Sequence, residues 1–184
     1  MKTWINGEFV NWEDAKVPIL SHGFSRGTAI FEVVDIVCAQ KGPAFFGLDA
    51  HMKRFFNSAA YMHMDLPLSA EEMIQACMDT ARKNDISYGA AKFFAYYSAD
   101  VIPHDKKIDI AIFCMDFGMP KTEKLQLPPP VTVCVSSYRK SHPESVPVHA
   151  KATGNYVGGY LAKMEAKEQG FDDVIFLDTM GFVA

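Results

Sequence analysis

Three consecutive prolines, Pro128 to Pro130, end a stretch (Gly118 to Pro130, GMPKTEKLQLPPP) that no regular element can cross. A proline ring fixes φ and removes the backbone donor. Such a run neither continues a helix nor lies inside a sheet, so the chain must run extended. The stretch reads as an interdomain linker over residues 118–130. It divides the chain of 184 residues into an N-terminal domain, 1–117, and a second part, 131–184.

Before the linker, Asn6-Gly7 stands between two short apolar runs, the signature of a type I′ hairpin turn over residues 4–10. Ile30 to Cys38 is rich in Val, Ile and Phe and predicts a buried strand, with a partner strand at Ala44 to Phe46 after a turn at Lys41-Gly42-Pro43. Asp49 is expected to N-cap a helix running to about Met62, with Met52, Phe55, Phe56 and Ala59 on one face. Ser69-Ala-Glu-Glu72 is a capping box. It opens a second helix whose apolar stripe is Met73, Ala76, Cys77 and Ala81 and which ends near Asn84. Strands follow at Ala90 to Ser98 and Ile108 to Met115, joined by a turn at Pro103-His-Asp. Strands, two helices and strands again, without βαβ alternation, predict a small α+β domain with an antiparallel sheet.

After the linker come a strand (131–137), a Pro-containing loop, a helix (155–169) with Gly170 at its C′ position, and a strand (173–178). A hairpin return then starts at Gly181. These are too few elements to close a core, so this part is expected to be the incomplete beginning of a larger domain.

Composition narrows the function. The 22 acidic against 18 basic side chains give a net charge of −4, which supplies no basic field for a nucleic-acid backbone. Cys38, Cys77, Cys114 and Cys134 are widely spaced and read as small buried hydrophobes, and no Cys or His spacing suits a metal. The N-terminus has no signal-like apolar segment and no apolar run reaches bilayer length, so a cytoplasmic, soluble protein is expected.

Chemistry concentrates at Lys151. Ala150, Ala152, Thr153 and Gly154 leave room for a flat ligand to approach the backbone. Desolvation there favours the neutral amine, the form that attacks a carbonyl. The run His149-Ala-Lys-Ala-Thr-Gly-Asn-Tyr156 continues into Leu161-Ala-Lys-Met-Glu-Ala166, Gly170-Phe-Asp-Asp and Val174-Ile-Phe-Leu-Asp178-Thr-Met-Gly181-Phe-Val183. Together these resemble the central segment of class IV pyridoxal-phosphate aminotransferases. That family includes branched-chain and D-amino-acid aminotransferases and aminodeoxychorismate lyases. Lys-x-x-Gly-Asn-Tyr is most similar to the branched-chain group. Two earlier blocks also resemble the family: Ser21-His-Gly-Phe-Ser-Arg26-Gly-Thr-Ala-Ile-Phe31-Glu32 its first active-site strand, and Asp49-Ala-His51-Met-Lys-Arg54 its His-x-x-Arg segment.

The resemblance implies a fold type IV enzyme, with residues 131–184 beginning a mixed α/β barrel-like, cofactor-binding domain. It implies that Lys151 forms the internal aldimine with pyridoxal 5′-phosphate and shuttles a proton, that Arg54 binds the phosphate, and that Tyr156 bonds the phenolic oxygen. Arginine suits phosphate because its planar fork is bidentate and always charged. The implied reaction is transamination of branched-chain or related apolar amino acids with 2-oxoglutarate by a homodimer. The lyase, the D-amino-acid enzyme and a truncated, non-catalytic fragment stay open. The family's glutamate for the pyridine nitrogen would follow the Gly-Phe-Val strand, beyond Ala184.

Substrate contacts are expected at Phe31, an aromatic wall, and at Arg26 and Lys92, which could pair with a carboxylate. At Arg26 branched-chain enzymes usually carry an aromatic residue, and at Lys92 often arginine. His22 and His51 read as structural. The pairs Phe55-Phe56 and Phe93-Phe94 read as core.

Overall fold

Two turn residues with positive φ, Asn6 (49°) and Gly7 (99°), fold strands β1 (Lys2–Ile5) and β2 (Glu8–Asn11) into the expected hairpin. The computed structural model describes residues 1–40, 42–99, 107–118 and 129–184. The expected turn at Pro103-His-Asp and most of the linker lie outside the described residues.

The chain divides into two compact units. The first comprises Met1–Lys121 with Ala150–Ala152, the second Thr122–His149 with Thr153–Ala184. Three residues placed by the sequence in the second domain, Lys151 among them, thus belong to the first unit. The reason is hydrogen bonding: Phe31 N–H donates to the Lys151 carbonyl at 3.0 Å, and Ile30 bridges Ala152 in antiparallel fashion.

The first unit is α+β. Its six-stranded sheet has the order β2-β1-β6-β5-β3-β4, with β3 at Ile30–Ala39, β4 at Gly42–Phe45, β5 at Gly89–Tyr97 and β6 at Ile108–Asp116. Every neighbouring pair is antiparallel. Helices α2 (Leu48–Tyr61) and α3 (Ala70–Lys83) cover one face. The core lies between them and Ile30, Val34, Phe93, Ile110 and Ile112, all at most 1% exposed. Phe55 of α2 meets Phe93 edge-on at 5.0 Å. Because side chains alternate along a strand, Phe31 and Val33 of β3 and Lys92 and Phe94 of β5 stand on the opposite face.

Several expectations change. Asp49 is not the N-cap of α2. Gly47, in the left-handed region (φ 69°), holds that position without a side-chain bond, and Asp49 lies in the first turn. Residues His22–Arg26, within the block that resembles the family's first active-site strand, form a short helix, α1, capped by Ser21 and ended by Gly27 at φ 69°. That helix can approach the sheet because position 23 has no Cβ; one there would stand 2.6 Å from Tyr96 Cβ. Cys77 and Cys114 are buried as expected, but Cys38 is exposed and Cys134 only partly buried. Burial pushes the Cys114 thiol up to about 12 and raises that of Cys77 as well. The capping box of α3 is present, with Ser69 N–H donating to Glu72 Oε2 at 2.8 Å and Glu72 N–H to Ser69 Oγ at 3.2 Å.

At Gly89 an added Cβ would lie 1.9 Å from the Met115 carbonyl oxygen on the paired strand. Backbone on both sides cannot yield without breaking the ladder. Gly89→Ala is expected to lower stability by about 3 kcal/mol, read as a shift in the urea midpoint.

In the second unit, β7 (Val133–Arg139) pairs in parallel with β8 (Asp173–Leu177), and α4 (Val157–Glu168) connects and packs on them through Ala162 and Ala166, both fully buried. The helix predicted from 155 starts two residues later, after a 3₁₀ turn at Thr153–Tyr156. Gly170 (φ 84°) follows its end as expected. The hairpin return is present as Asp178 N–H to Phe182 O at 2.7 Å and a bridge from Leu177 to Val183. Among the described residues no helix is long and apolar enough to cross a membrane.

Candidate active site

Lys151 is held by its backbone at both polar atoms. Its N–H donates to Ser58 Oγ on α2 at 3.0 Å, and its carbonyl accepts from Phe31 on β3 at 3.0 Å. The side chain then extends over the Phe31 ring, with Nζ 4.5 Å from the centroid. A second ammonium, Lys92 Nζ, lies 4.9 Å from the same centroid and 5.0 Å from that of Phe94. Phe31 and Phe94 are 5.9 Å apart, and Phe94 stacks on Phe113 at 6.3 Å. The face of the sheet away from α2 and α3 therefore carries an aromatic floor under two amines. Phe94, expected in the core, belongs to this floor. Ring faces attract such cations at a strength of about 0.5–2 kcal/mol each.

One residue further along β3, Glu32 points the other way. It is fully buried, and a lone carboxylate there would be costly to ionise. Arg54 Nε contacts Oε1, Arg54 Nη2 donates to Oε2 at 2.7 Å, and His51 Nδ1 reaches Oε2 at 2.9 Å. His51 and Arg54 share a face of α2 because they are three residues apart. An ionised carboxylate only accepts, so Nδ1 carries the imidazole proton and donates it to Glu32. The 3.4 Å approach of Arg54 Nη2 to the same nitrogen is then proximity, not a bond. Burial alone would raise the Glu32 carboxyl; hydrogen bonds and charge from Arg54 and His51 outweigh it and lower it below the ordinary 4.5. Arg54 keeps half its side chain exposed beyond this clamp.

A chain-wide match accompanies this geometry. Residues 29–184 match the family model described as amino-transferase class IV. The chain belongs to this family. A branched-chain-amino-acid aminotransferase of Escherichia coli (strain K12) is 32% identical over 98% of this chain and 60% of its own length. Among solved structures, that of an Escherichia coli branched-chain aminotransferase has a TM-score of 0.90 at 31% identity, covering 100% of this chain and 61% of that one. A branched-chain aminotransferase from Thermobaculum terrenum, solved in its PLP-form, has a TM-score of 0.81 at 25% identity, covering 99% of this chain and 60% of that one. The architecture is the fold type IV one of these enzymes, and the chain spans about 60% of the length of the relatives it matches.

Of the residues singled out in this class IV sequence, the structure brings Phe31, Lys92 and Lys151 together directly and ties Arg54 to Lys151 through Ser58. Arg26 is not joined to them. It ends α1, exposed, with no ion pair or ring contact to these residues among those described. Tyr156 closes the 3₁₀ turn of the second unit and is 47% exposed. Two residues escaped the sequence reading. Glu32 carries a signal, since an acid inside the apolar run Ile30-Phe-Glu-Val-Val34 demands a buried cation. Ser58 carries none; a serine within a helix is ordinary in sequence and acquires meaning only from the strand that crosses it.

Proposed function

We propose that this chain provides the lysine and a phosphate anchor of a pyridoxal 5′-phosphate transaminase acting on branched-chain or related apolar amino acids, with 2-oxoglutarate as acceptor. The observation that carries the reading is the Lys151 amine, fixed over the Phe31 ring by two backbone hydrogen bonds. The cofactor needs an amine for its carbonyl end and a cation for its phosphate. Lys151 meets the first requirement, and Arg54, with its side chain half exposed and its guanidinium aimed by Glu32, meets the second. The residues present fit the group, and Tyr156 would bond its phenolic oxygen. When bound, the cofactor supplies the electron sink for chemistry at the substrate α-carbon.

The protein residues supply the rest. Lys151 Nζ takes the proton from the α-carbon and returns it, general acid–base work that contributes about 10²–10⁴ in rate. Phe31 and Phe94 present an apolar wall suited to an aliphatic side chain. Lys92, poised over both rings, suits the second carboxylate of glutamate or 2-oxoglutarate, with Arg26 as a further cation. Val17, Ile19, Leu20 and Phe24 leave large apolar side chains exposed at 48%, 75%, 59% and 68%, which supports a homodimer.

The decisive assay supplies pyridoxal phosphate and measures amino transfer from leucine to 2-oxoglutarate beside lyase activity on aminodeoxychorismate. Transfer is expected and lyase activity is not; the reverse result overturns the assignment. In the same assay Lys92→Ala should raise KM for 2-oxoglutarate more than for leucine. A 2-oxoglutarate KM unchanged from wild type in Lys92→Ala, or in Arg26→Ala, would remove that residue from substrate recognition.

A further inference from the structure

Ser58 is fully buried in the middle of α2 and its hydroxyl makes two hydrogen bonds at once. It donates to the carbonyl of Arg54 at 2.9 Å and accepts from the backbone N–H of Lys151 at 3.0 Å. The first bond is common for a helical serine, which often returns its proton to the carbonyl four residues earlier. The second is not local: it spans 93 residues. It also satisfies the amide of the residue that carries the reactive amine.

From this we infer that Ser58 is a positioning residue, whose hydroxyl couples Arg54 to Lys151 so that phosphate anchor and amine move as one unit. The inference rests on the pyridoxal-phosphate reading above. Its physical basis is that a hydroxyl is both donor and acceptor, so one rotor fixes both partners. Donating to Arg54 O leaves the oxygen lone pairs turned toward Lys151. The Arg54 guanidinium is meanwhile tied to Glu32, the neighbour of Phe31, and Phe31 N–H holds the Lys151 carbonyl. Backbone and side-chain links thus form a closed circuit: Lys151, Ser58, Arg54, Glu32, Phe31 and back to Lys151. Alanine at 58 opens it at one point and leaves a partly buried N–H without its acceptor.

Thr80 provides a matched control. It too is fully buried on a helix and donates to the carbonyl four residues earlier, Ala76 O, at 2.7 Å. Both alanine variants lose a buried hydroxyl and its bond to the helix carbonyl, while of the two only Ser58 touches Lys151. The measurements, on the whole chain, are hydrogen exchange at the Lys151 amide without cofactor and the Kd for pyridoxal phosphate by fluorescence titration. Ser58→Ala is expected to speed Lys151 exchange and to weaken the cofactor about tenfold, as loss of a buried hydrogen bond does. Thr80→Ala should change neither, and Ser58→Thr, which keeps the hydroxyl, should restore most of both. Equal effects of the two alanine variants would reduce Ser58 to an ordinary structural hydroxyl and overturn the inference. If the wild type fails to bind pyridoxal phosphate, the cofactor reading falls. The exchange comparison still decides the clamp: faster exchange in Ser58→Ala alone supports it, and equal exchange overturns it. Should Ser58→Ala not fold, Ser58→Cys, whose thiol is a poor acceptor for the Lys151 N–H, carries the same comparison, with faster exchange and weaker affinity expected and wild-type values overturning the inference.

Discussion

Lys151→Ala is expected to lower kcat for leucine and 2-oxoglutarate by at least about 10³-fold while leaving the fold intact. The two halves of that expectation have different causes. On the proposed function the rate falls because one amine would both hold the cofactor's carbonyl end and move the proton at the α-carbon. Among the described residues Lys92 is the other amine over that ring, but it rises from a different strand, β5, and its Nζ lies between the Phe31 and Phe94 rings. Stability changes little because the backbone bonds of position 151, to Ser58 and Phe31, do not use its side chain. The described contact that is lost is that of Nζ with the Phe31 ring, about 0.5–1 kcal/mol. Single-turnover kinetics and a thermal melt on the same sample check both halves. A kcat within about tenfold of wild type would exclude Lys151 from the chemistry.

The second large effect concerns stability and pH. Arg54→Ala is expected to destabilise the chain by about 3 kcal/mol, and Glu32→Gln by less. Removing the arginine leaves a carboxylate buried at full depth with, among the described residues, His51 and the Val33 N–H as its partners and no permanent cation. Removing the acid leaves a cation that is half exposed and can be solvated. The pair Arg54→Met with Glu32→Gln should recover much of the loss, because neither charge is then stranded. The sign of the pH dependence follows from the Glu32 carboxyl, held below the ordinary 4.5 by Arg54 and His51 against the opposing effect of burial. Its stabilising contribution is complete above the unfolded-chain value of 4.5 and is lost as the pH falls through the depressed folded-state value. Urea unfolding followed from about pH 6 to about pH 3 should show a steeper fall for wild type than for Glu32→Gln. Parallel curves would falsify the role of this ion pair.

The two predictions separate roles that the sequence alone presents as one motif. His51 and Arg54 sit in a His-x-x-Arg run, and sequence reasoning assigns the arginine to phosphate and the histidine to structure. Both are tied first to Glu32. An arginine whose Nε–Nη2 edge is already engaged is oriented before any ligand arrives, which lowers the ordering cost of binding. The same bonds commit part of its charge to an internal partner. Affinity for phosphate would then depend on Glu32 although Glu32 never touches it.

What could be read in advance was whatever a few neighbouring residues decide. The I′ turn follows from Asn6-Gly7, the start of α3 from Ser69 and Glu72, and the end of α4 from Gly170, because each is a backbone conformation or a cap satisfied within four residues. The richness of Ile30 to Cys38 in Val, Ile and Phe likewise foretold a buried strand. Strength of pattern did not help where two local signals competed. Asp49 looks like a cap, but Gly47 enters the left-handed region with less strain and starts the helix earlier. Phe94 looks like core beside Phe93, yet period two sends it to the other face.

Lys151 itself was legible in sequence as a residue type within a family pattern. Its surroundings were not. That Lys151 joins the first unit, that its amide meets Ser58 and its amine meets Phe31, and that Glu32 secures Arg54 are contacts between residues 22 to 120 positions apart. No local propensity encodes them. They exist because the antiparallel sheet sets Phe31 and Glu32 on opposite faces, α2 crosses one of them, and the segment Ala150–Ala152 returns alongside β3 to complete its hydrogen bonding.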